Sequence, residues 1–267
     1  MKRNHFWLSD EQWSRIEPHL PTDVRGKERV DDRRVISGIP HVLKIGCRWK
    51  DLPPEYGPYT TIYNRFVRWA ERGVWEDLFN AVAARGRSTH TQMIDSTHVK
   101  AHRSASGGEG GEQNQAIGCS RGGRNTKIHA ITDAKGRLLK FVLTGGEAHD
   151  CPIGAKLIEE SKPAELMLAD KGYDSAELRR QLNDRGTKAV IPNRSNRKKK
   201  FRFDRKRYRD RHRIENAFCR LKDFRRIATR YDKMAVVFAA SVHLVATIAG
   251  SIRISVCEAC SVTPTTG

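Results

Sequence analysis

Residues 208–222, YRDRHRIENAFCRLK, combine two different faces in one stretch that is typical of a helix. At 100° per residue, four polar side chains fall within about 60° of arc: Tyr208, Arg211, Glu215 and Lys222. The other side is apolar at helical spacing: Ile214, Ala217, Phe218, Leu221 and Phe224. One face can therefore pack on a core while the other presents a carboxylate among cations. In an arbitrary helix that polar pattern is most often a solvated ion-pair face.

The composition of the chain points to a polyanionic partner. Its 267 residues include 50 Lys and Arg against 31 Asp and Glu, a net charge of +19. Such an excess favours nucleic acid as the partner, with an anionic membrane surface as the second choice. The length allows one large domain, or a large domain with a small one.

Other sequence features predict a cytoplasmic chain without a membrane partner. The six cysteines are scattered, and only Cys257 and Cys260 form a CxxC pair, so neither a zinc site nor disulfides are expected. Residues 1–13 lack the apolar core of a signal peptide. Residues 234–252 carry no charge, but Ser241, His243 and the marginal length favour a buried core helix over a membrane span.

An all-α domain is predicted over residues 1–87. A buried helix over residues 31–47 is followed by the turn GCRWKDLPPEYGP (46–58) and a helix that begins at Tyr59. This arrangement resembles a helix-turn-helix unit, and the positive charge makes DNA binding its favoured role. The candidate DNA contacts are Arg48, Lys50, Tyr59, Thr60, Thr61 and Arg65.

Residues 88–255 predict a mixed-sheet α/β domain, followed by a tail over 256–267. The segments that follow each other are a strand (91–99), a Gly-rich loop (107–124), strands (127–132, 138–143), a helix (151–161), a strand (166–169), a helix (175–185) and a strand (188–191). Residues 193–207 hold nine basic residues, which indicates either a solvated linker or one that contacts nucleic acid.

Two aspartates at strands are the candidate partners of Glu215. Asp95 lies inside an apolar strand, where a carboxylate is costly unless it is paired or bound to metal. Asp170 follows the strand 166–169, where a turn or cap role is the common alternative. If the two strands are neighbours, the carboxylates converge, and three of them in a basic protein suit two Mg²⁺ or Mn²⁺ ions. Arg211 and Lys222 would then bind flanking DNA phosphates, and Tyr208 could hydrogen-bond or stack there.

Several other residues have alternative roles. His149 and Asp150 could lie near the metal site, although a helix cap for Asp150 and a surface position for His149 are favoured. Strand alternation places Ser96 on the face opposite Asp95. Tyr208 as a recombinase nucleophile is disfavoured, because a nearby catalytic Glu would be useless to that chemistry.

Four blocks of the sequence together resemble the DDE transposases of bacterial insertion sequences, in the group around insertion sequence five. They are MIDSTHVKAHRSA (93–105), MLADKGYDS (167–175), the spacing Tyr208-x2-Arg211-x3-Glu215-x6-Lys222, and the N-terminal LSDEQW…CRWKDLPPEYGPYTTIYNRFVRW. The resemblance implies a ribonuclease H-like catalytic fold with two metal ions held by Asp95, Asp170 and Glu215. It also implies cleavage at transposon ends and strand transfer into target DNA by a dimer or larger assembly, in a bacterial, nucleoid-associated setting.

Two other functions remain open at this point. A non-catalytic DNA-binding repressor derived from a transposase would keep the DNA contacts, but it has no reason to retain three mutually repelling carboxylates. A nuclease with the same fold would hydrolyse DNA without joining strands.

Overall fold

The computed structural model describes residues 5–21, 30–84 and 90–251. Its helices are α1 Asp10–Ile16, α2 Asp32–Ile45, α3 Tyr59–Glu71, α4 Val74–Ala84, α5 Gly111–Asn114, α6 Asp150–Glu159, α7 Ala176–Asp184, α8 Arg205–Tyr208, α9 His212–Lys222, α10 Arg225–Ala228 and α11 Ala235–Ser251. Its strands are β1 Thr91–Ala101, β2 Gly118–Ser120, β3 Gly123–Asp133, β4 Leu138–Gly145, β5 Leu166–Leu168, β6 Lys188–Val190 and β7 Thr229–Arg230. The predicted boundary at 87/88 and the predicted tail, with Cys257 and Cys260, lie outside the described residues.

The strands form one mixed sheet with β1 near its centre. Its order is β2-β3-β1-β5-β6, with β4 also paired to β3 and β7 to β1. The β1–β3 and β3–β4 pairs are antiparallel, whereas β5 runs parallel to both β1 and β6. Helices pack on the sheet and an all-α region precedes it, so the predicted α/β class is confirmed.

The β3–β4 connection follows the turn chemistry of its sequence. Asp133 accepts backbone hydrogen bonds from Lys135 and Arg137 through its side chain, and Gly136 adopts a φ of +71°. That left-handed conformation is one that glycine adopts without steric cost. The turn connects the two strands that were predicted over 127–132 and 138–143.

The Gly-rich segment 107–124 is more ordered than predicted. It contains α5 and β2, and β3 already begins within it. Gly123, with a φ of +88°, pairs with Ser120 and closes a tight β2–β3 turn. The glycines therefore serve turns between short elements, and the prediction of a continuous loop was wrong.

The N-terminal helices are closed by local caps. Ser9 and Gln12 form a reciprocal capping box at α1, and Asp31 caps the backbone of Arg34 at α2. The connection from α2 to α3 spans residues 46–58 and contains two 3₁₀ turns. It is longer than the turn of about three to four residues in a helix-turn-helix, so the predicted resemblance to that unit holds only loosely.

The core continues from the sheet into the N-terminal helices. One hydrophobic cluster joins Ile36 and Phe66 of α2 and α3 to Val99 of β1 and to Phe238 and Leu244 of α11. Helix α11 packs against α3 and α4 as well as β4. The buried core helix predicted over residues 234–252 is confirmed over Ala235–Ser251, and Ile252 lies outside the described residues.

Over the described ranges, 5–21, 30–84 and 90–251, every helix is too short or too polar to cross a membrane.

Residues 208–222 do not form the single helix that their spacing predicts. Helix α8 ends at Tyr208, a 3₁₀ turn covers Arg209–Arg211, and α9 begins at His212. Such tighter turns are frequent at helix starts. The apolar face of α9 is nevertheless buried as predicted, by Ile214, Ala217, Phe218 and Leu221.

Candidate active site

The register of two parallel strands brings Asp95 and Asp170 side by side. Met93 of β1 pairs with Leu168 of β5. Asp95 lies two residues after Met93, and Asp170 lies two residues after Leu168. Residues two apart in a strand point to the same face. The convergence predicted for these two carboxylates is therefore built into the sheet at the carboxyl end of β5.

Asp95 is a largely buried carboxylate with two donors. Its Oδ1 accepts from the backbone N of Ser96 at 2.8 Å, and its Oδ2 accepts from Nη1 of Arg211 at 2.7 Å. Burial raises the pKa of Asp95, and the nearby charge of Asp170 raises it further, against the opposing effect of Ser96 and Arg211. A further cation beside Asp95 would oppose this shift and favour the ionised form of the carboxylate.

Asp170 begins the turn after β5 and holds its shape. Its Oδ1 accepts from the backbone N of Gly172 at 2.8 Å, so the aspartate also performs the cap role that was the alternative. A Cβ at position 172 would lie 2.9 Å from that same oxygen. A larger residue at this position would therefore require the Asp170 carboxylate to shift.

Arg211 joins the first and third carboxylates. Its guanidinium donates to Oδ2 of Asp95 and also to Oε1 of Glu215, whose side chain is 52% exposed. In the described part of the chain, three or more His, Cys, Asp or Glu residues nowhere lie close enough to hold one metal ion. The arginine thus lies between two of the predicted metal ligands.

Lys222 and Tyr208 flank this group on the same side of the sheet. The Nζ of Lys222 donates to Oγ1 of Thr97 at 2.6 Å, and burial lowers the pKa of this lysine. Thr97 follows Asp95 by two residues and shares its face. Tyr208 packs partly against the core, with its ring under the guanidinium of Arg211 at 5.9 Å. The face thus presents two cations beside the carboxylates.

The opposite face of β1 carries a second polar cluster. Asp150, the first residue of α6, accepts from Oγ of Ser96 at 2.6 Å and from Nζ of Lys127 at 2.8 Å. The Nδ1 of the fully buried His129 lies 3.4 Å from the same Asp150 oxygen. Burial lowers the pKa of His129 to about 4, so its ring is neutral at pH 7.

Asp150 thus serves neither as the favoured helix cap nor as a neighbour of the carboxylates on their own face. His149 takes the cap position without a side-chain hydrogen bond and is exposed. Burial acts to raise the pKa of Asp150, but the hydrogen bonds from Lys127 and Ser96 outweigh it and lower the pKa. Asp150 reaches the site through Ser96, whose backbone N holds Asp95.

Sequence reasoning missed Lys127, although a signal was present. A lysine in the apolar strand β3 is as costly as an aspartate in β1 unless a partner neutralises it. Its ammonium is nearly buried and also donates to the carbonyl of Ala148 at 3.1 Å. A lysine in an apolar strand could have indicated an acidic partner, which the structure shows to be Asp150 of α6.

Among the predicted N-terminal DNA contacts, Arg65 has a different role. It is buried, donates to Asp32 of α2 and stacks on the ring of Trp69 at 4.9 Å. Its guanidinium is therefore committed to the helical core, because an Arg–carboxylate pair taken from water needs both partners. This placement contradicts the predicted DNA contact.

The other predicted N-terminal contacts remain accessible to varying degrees. Arg48 forms an exposed pair with Asp51, while Lys50, Tyr59 and Thr60 are exposed and Thr61 is half-buried. They group around the start of α3 and the 3₁₀ turn at Trp49–Asp51.

The residues present fit a divalent metal by their chemistry. Asp95 and Asp170 lie together at one sheet position, and Glu215 is tied to Asp95 through a single arginine. Carboxylate oxygens are the hard ligands that Mg²⁺ and Mn²⁺ prefer.

Two family models match the chain. Residues 88–249 match the transposase DDE domain, and residues 8–79 match a putative transposase of the IS4/5 family.

Individual relatives are similar to parts of the chain. Over 129 residues the chain is 35% identical to a putative transposase for insertion sequence element IS6501 of Brucella ovis. The aligned region covers 45% of this chain and 92% of the relative. Over 102 residues the chain is 38% identical to the uncharacterized protein y4sN of Sinorhizobium fredii. The aligned region covers 38% of this chain and 81% of the relative. A solved piggyBac transposase synaptic complex with hairpin DNA is 10% identical at a TM-score of 0.47, covering 90% of this chain and 71% of that one.

Proposed function

The chain belongs to the transposase DDE domain family, and we propose that it binds the terminal inverted repeats of an insertion sequence and cuts and joins DNA strands there. The observation that carries the proposal is the β1–β5 register, which aligns Asp95 with Asp170, together with the arginine that ties Asp95 to Glu215. In a ribonuclease H-like catalytic domain these three residues form the active site.

Asp95, Asp170 and Glu215 would hold two divalent ions, Mg²⁺ or Mn²⁺. When bound, the metal supplies Lewis-acid stabilisation of the charge that develops on the phosphodiester. Asp95 sits on the rigid central strand, and the Ser96 backbone fixes one of its oxygens. Asp170 is fixed in the same way by Gly172, so two ligands are oriented before metal binds.

The two cations beside the carboxylates would position the DNA. Lys222 is held by Thr97 on the same sheet face as Asp95. Arg211 pairs with two carboxylates, and metal binding there would leave its fork of donors for a DNA phosphate. Tyr208, which stacks on Arg211, would orient the guanidinium.

The partners of the protein follow from this chemistry. Double-stranded DNA of the transposon ends and of the target is the substrate, and the bacterial nucleoid is the place of action. Exposed residues around the start of α3, among them Arg48, Lys50, Tyr59 and Thr60, would contact the ends. Two ends must be held together, so a dimer or larger assembly on DNA is expected.

The test is a cleavage assay on duplex DNA that carries the element's ends. Parent protein should give nicked and then joined products with Mg²⁺ or Mn²⁺, and none with EDTA. The variants Asp170→Asn and Glu215→Gln should bind the same ends without cutting them. Nicking without joined products would indicate a nuclease, and specific end binding without any cleavage would indicate a repressor; either result would overturn the proposal.

A further inference from the structure

The basic segment 193–207, here called the basic strap, is fastened to the protein by a buried aspartate. Asp174 has a fully buried side chain whose Oδ2 accepts from Nε of Arg197 at 2.6 Å and from the backbone N of Arg194 at 2.8 Å. Its Oδ1 accepts from Nε of Arg179 of α7 at 2.8 Å. A single carboxylate thus fixes the start of the strap to a helix of the catalytic domain.

The same fastening reaches the loop of the second catalytic aspartate. The guanidinium of Arg194 donates to the carbonyl of Lys171 at 3.1 Å and to that of Gly172 at 2.6 Å. These carbonyls directly follow Asp170, whose carboxylate is held by the Gly172 backbone. The strap and the candidate active site therefore share one rigid loop.

The strap is also closed on itself. The side chain of Asn193 exchanges two hydrogen bonds with the backbone of Phe201, at 2.8 and 2.9 Å. The centroid of the Phe201 ring lies 4.7 Å from the guanidinium of Arg179 and 5.0 Å from that of Arg197. Each contact is of the cation–π type, so Phe201 also links the strap to α7.

The tip of this closed loop carries unpaired positive charge. Lys198, Lys199, Lys200 and Arg202 are exposed, and none of them forms an ion pair with an acid in the described part of the chain. The buried Asp174 thus holds down two arginines while the lysines project. Phosphates spaced along a nucleic-acid backbone match such a row of cations.

We propose that the basic strap is a preformed clamp for the phosphate backbone of duplex DNA, fixed relative to Asp170 by its Asp174 anchor. The inference rests on the proposed function and adds a DNA surface separate from the N-terminal helices. A duplex fits better than a membrane, because the exposed tip of the strap is a row of cations and Phe201 contacts two guanidiniums.

The first test measures binding of a fluorescein-labelled duplex of unrelated sequence by anisotropy, in EDTA, over a series of salt concentrations. Replacing Lys198, Lys199 and Lys200 with Ala should lower affinity and reduce the slope of log K against log salt by about 3, or about one per lysine. The matched control replaces three exposed lysines elsewhere, Lys135, Lys156 and Lys162, with the same loss of charge. Equal effects of the two triple variants would overturn the clamp.

The second test distinguishes the structural effect of Asp174 on DNA affinity from the effect of net charge. Asp174→Asn makes the protein more positive, so charge alone predicts tighter DNA binding. A released strap predicts binding about tenfold weaker, because ordering its side chains then opposes association. Asp184→Asn, at an exposed position of α7, makes the same charge change without touching the anchor and should bind like the parent. Tighter binding by Asp174→Asn would overturn the proposal.

A further variant guards against misfolding of Asp174→Asn. Phe201→Leu keeps every charge but removes the stacking between the two arginines. Trypsin should then cut at Lys198–Lys200 faster than in the parent, and DNA affinity should fall. Unchanged cleavage together with unchanged affinity would count against a preformed strap.

The last arm separates possible partners. On vesicles rich in phosphatidylserine, the Lys198–Lys200 triple variant should lose no more binding than the control triple variant. A loss on vesicles with none on DNA would assign the strap to a membrane surface instead. Since every measurement is made in EDTA, a failed clamp and a failed metal-dependent cleavage assay are distinguishable.

Discussion

The two faces of β1 hold similar polar groups in opposite electrostatic states. On one face Asp95 meets Arg211, and on the other Ser96 leads to Asp150 and Lys127. Burial with the charge of Asp170 raises the pKa of Asp95, whereas Lys127 and Ser96 overcome burial and lower the pKa of Asp150. Adjacent residues of one strand therefore connect to one carboxylate whose pKa is raised and to another whose pKa is lowered.

The difference separates a candidate reactive site from a structural one. A buried carboxylate whose charge is matched stabilises the fold, whereas one crowded by a second carboxylate favours binding of another cation. Each experiment below removes one side of this comparison.

The largest effect is expected for Asp95→Asn. DNA cleavage with Mg²⁺ should fall by about 1000-fold or more, equivalent to about 4 kcal/mol of transition-state stabilisation. The physical reason is that the amide cannot supply an anionic metal ligand. The assay is single-turnover cleavage of a labelled end duplex.

Asp150→Asn is the matched control for Asp95→Asn. Asp150 accepts a hydrogen bond from Ser96, the residue that follows Asp95 in β1. Its cleavage rate should change less than tenfold, and both variants should bind end DNA. Equal losses of cleavage would mean that the two faces do not differ in function.

The next effect concerns stability. Asp150→Ala leaves the nearly buried Lys127 unpaired, which should lower the free energy of unfolding by about 3 kcal/mol, measured by urea denaturation. The value is at the low end for a buried pair because Asp150 is about a third exposed. Combining it with Lys127→Met should recover part of the loss; no recovery would show that the charge pair is not the cause.

His129 should make the free energy of unfolding depend on pH. Its pKa falls from 6.5 to about 4 in the folded protein, so the unfolded chain binds a proton first as pH drops. The free energy of unfolding should therefore decrease between pH 6.5 and about 4, by about 2 kcal/mol from this residue. His129→Gln should remove that share, as measured by denaturation at several pH values.

Two comparisons control the His129 measurement. The exposed His149→Gln should keep the parent's pH profile. His243, whose pKa is also lowered to about 4 by burial, remains in both variants, so part of the decrease should persist. A profile for His129→Gln identical to the parent's would contradict a neutral buried ring.

Gly172→Ala is expected to have the smallest effect. Its Cβ would press on the Asp170 carboxylate at 2.9 Å and tilt it from Asp95. Cleavage should fall by about tenfold, while stability changes by about 1 kcal/mol. Gly122→Ala, whose Cβ would meet only Ser120 Oγ at 3.8 Å, should leave cleavage unchanged. A full rate for Gly172→Ala would show that the close approach is dispensable.

The sequence predicted what depends on local pattern. Strand alternation separates Asp95 from Ser96, the helix predicted to begin at Tyr59 matches α3, and the apolar face of α9 is buried. The pairing of Asp95 with Asp170 needed only neighbouring strands, because each aspartate sits at a definite place in its strand.

What the sequence did not predict depends on partners far along the chain. Arg65 was predicted to contact DNA, but Asp32 on another helix buries it. Asp150 was favoured as a cap, but the sheet register brings Ser96 and Lys127 to it. Arg211 has the predicted spacing, yet its partners are decided by where β1 meets α9. Charge pairs across elements leave no period in the sequence.

The packing of α11 against α3 and α4 also has a consequence for how the chain is made. During synthesis, the apolar sides of Tyr59–Glu71 and Val74–Ala84 emerge long before Ala235–Ser251, which covers them. Contacts of such long sequence separation slow folding, and uncovered apolar helices attract one another meanwhile. The nascent protein is therefore expected to depend on chaperones until its last described helix leaves the ribosome.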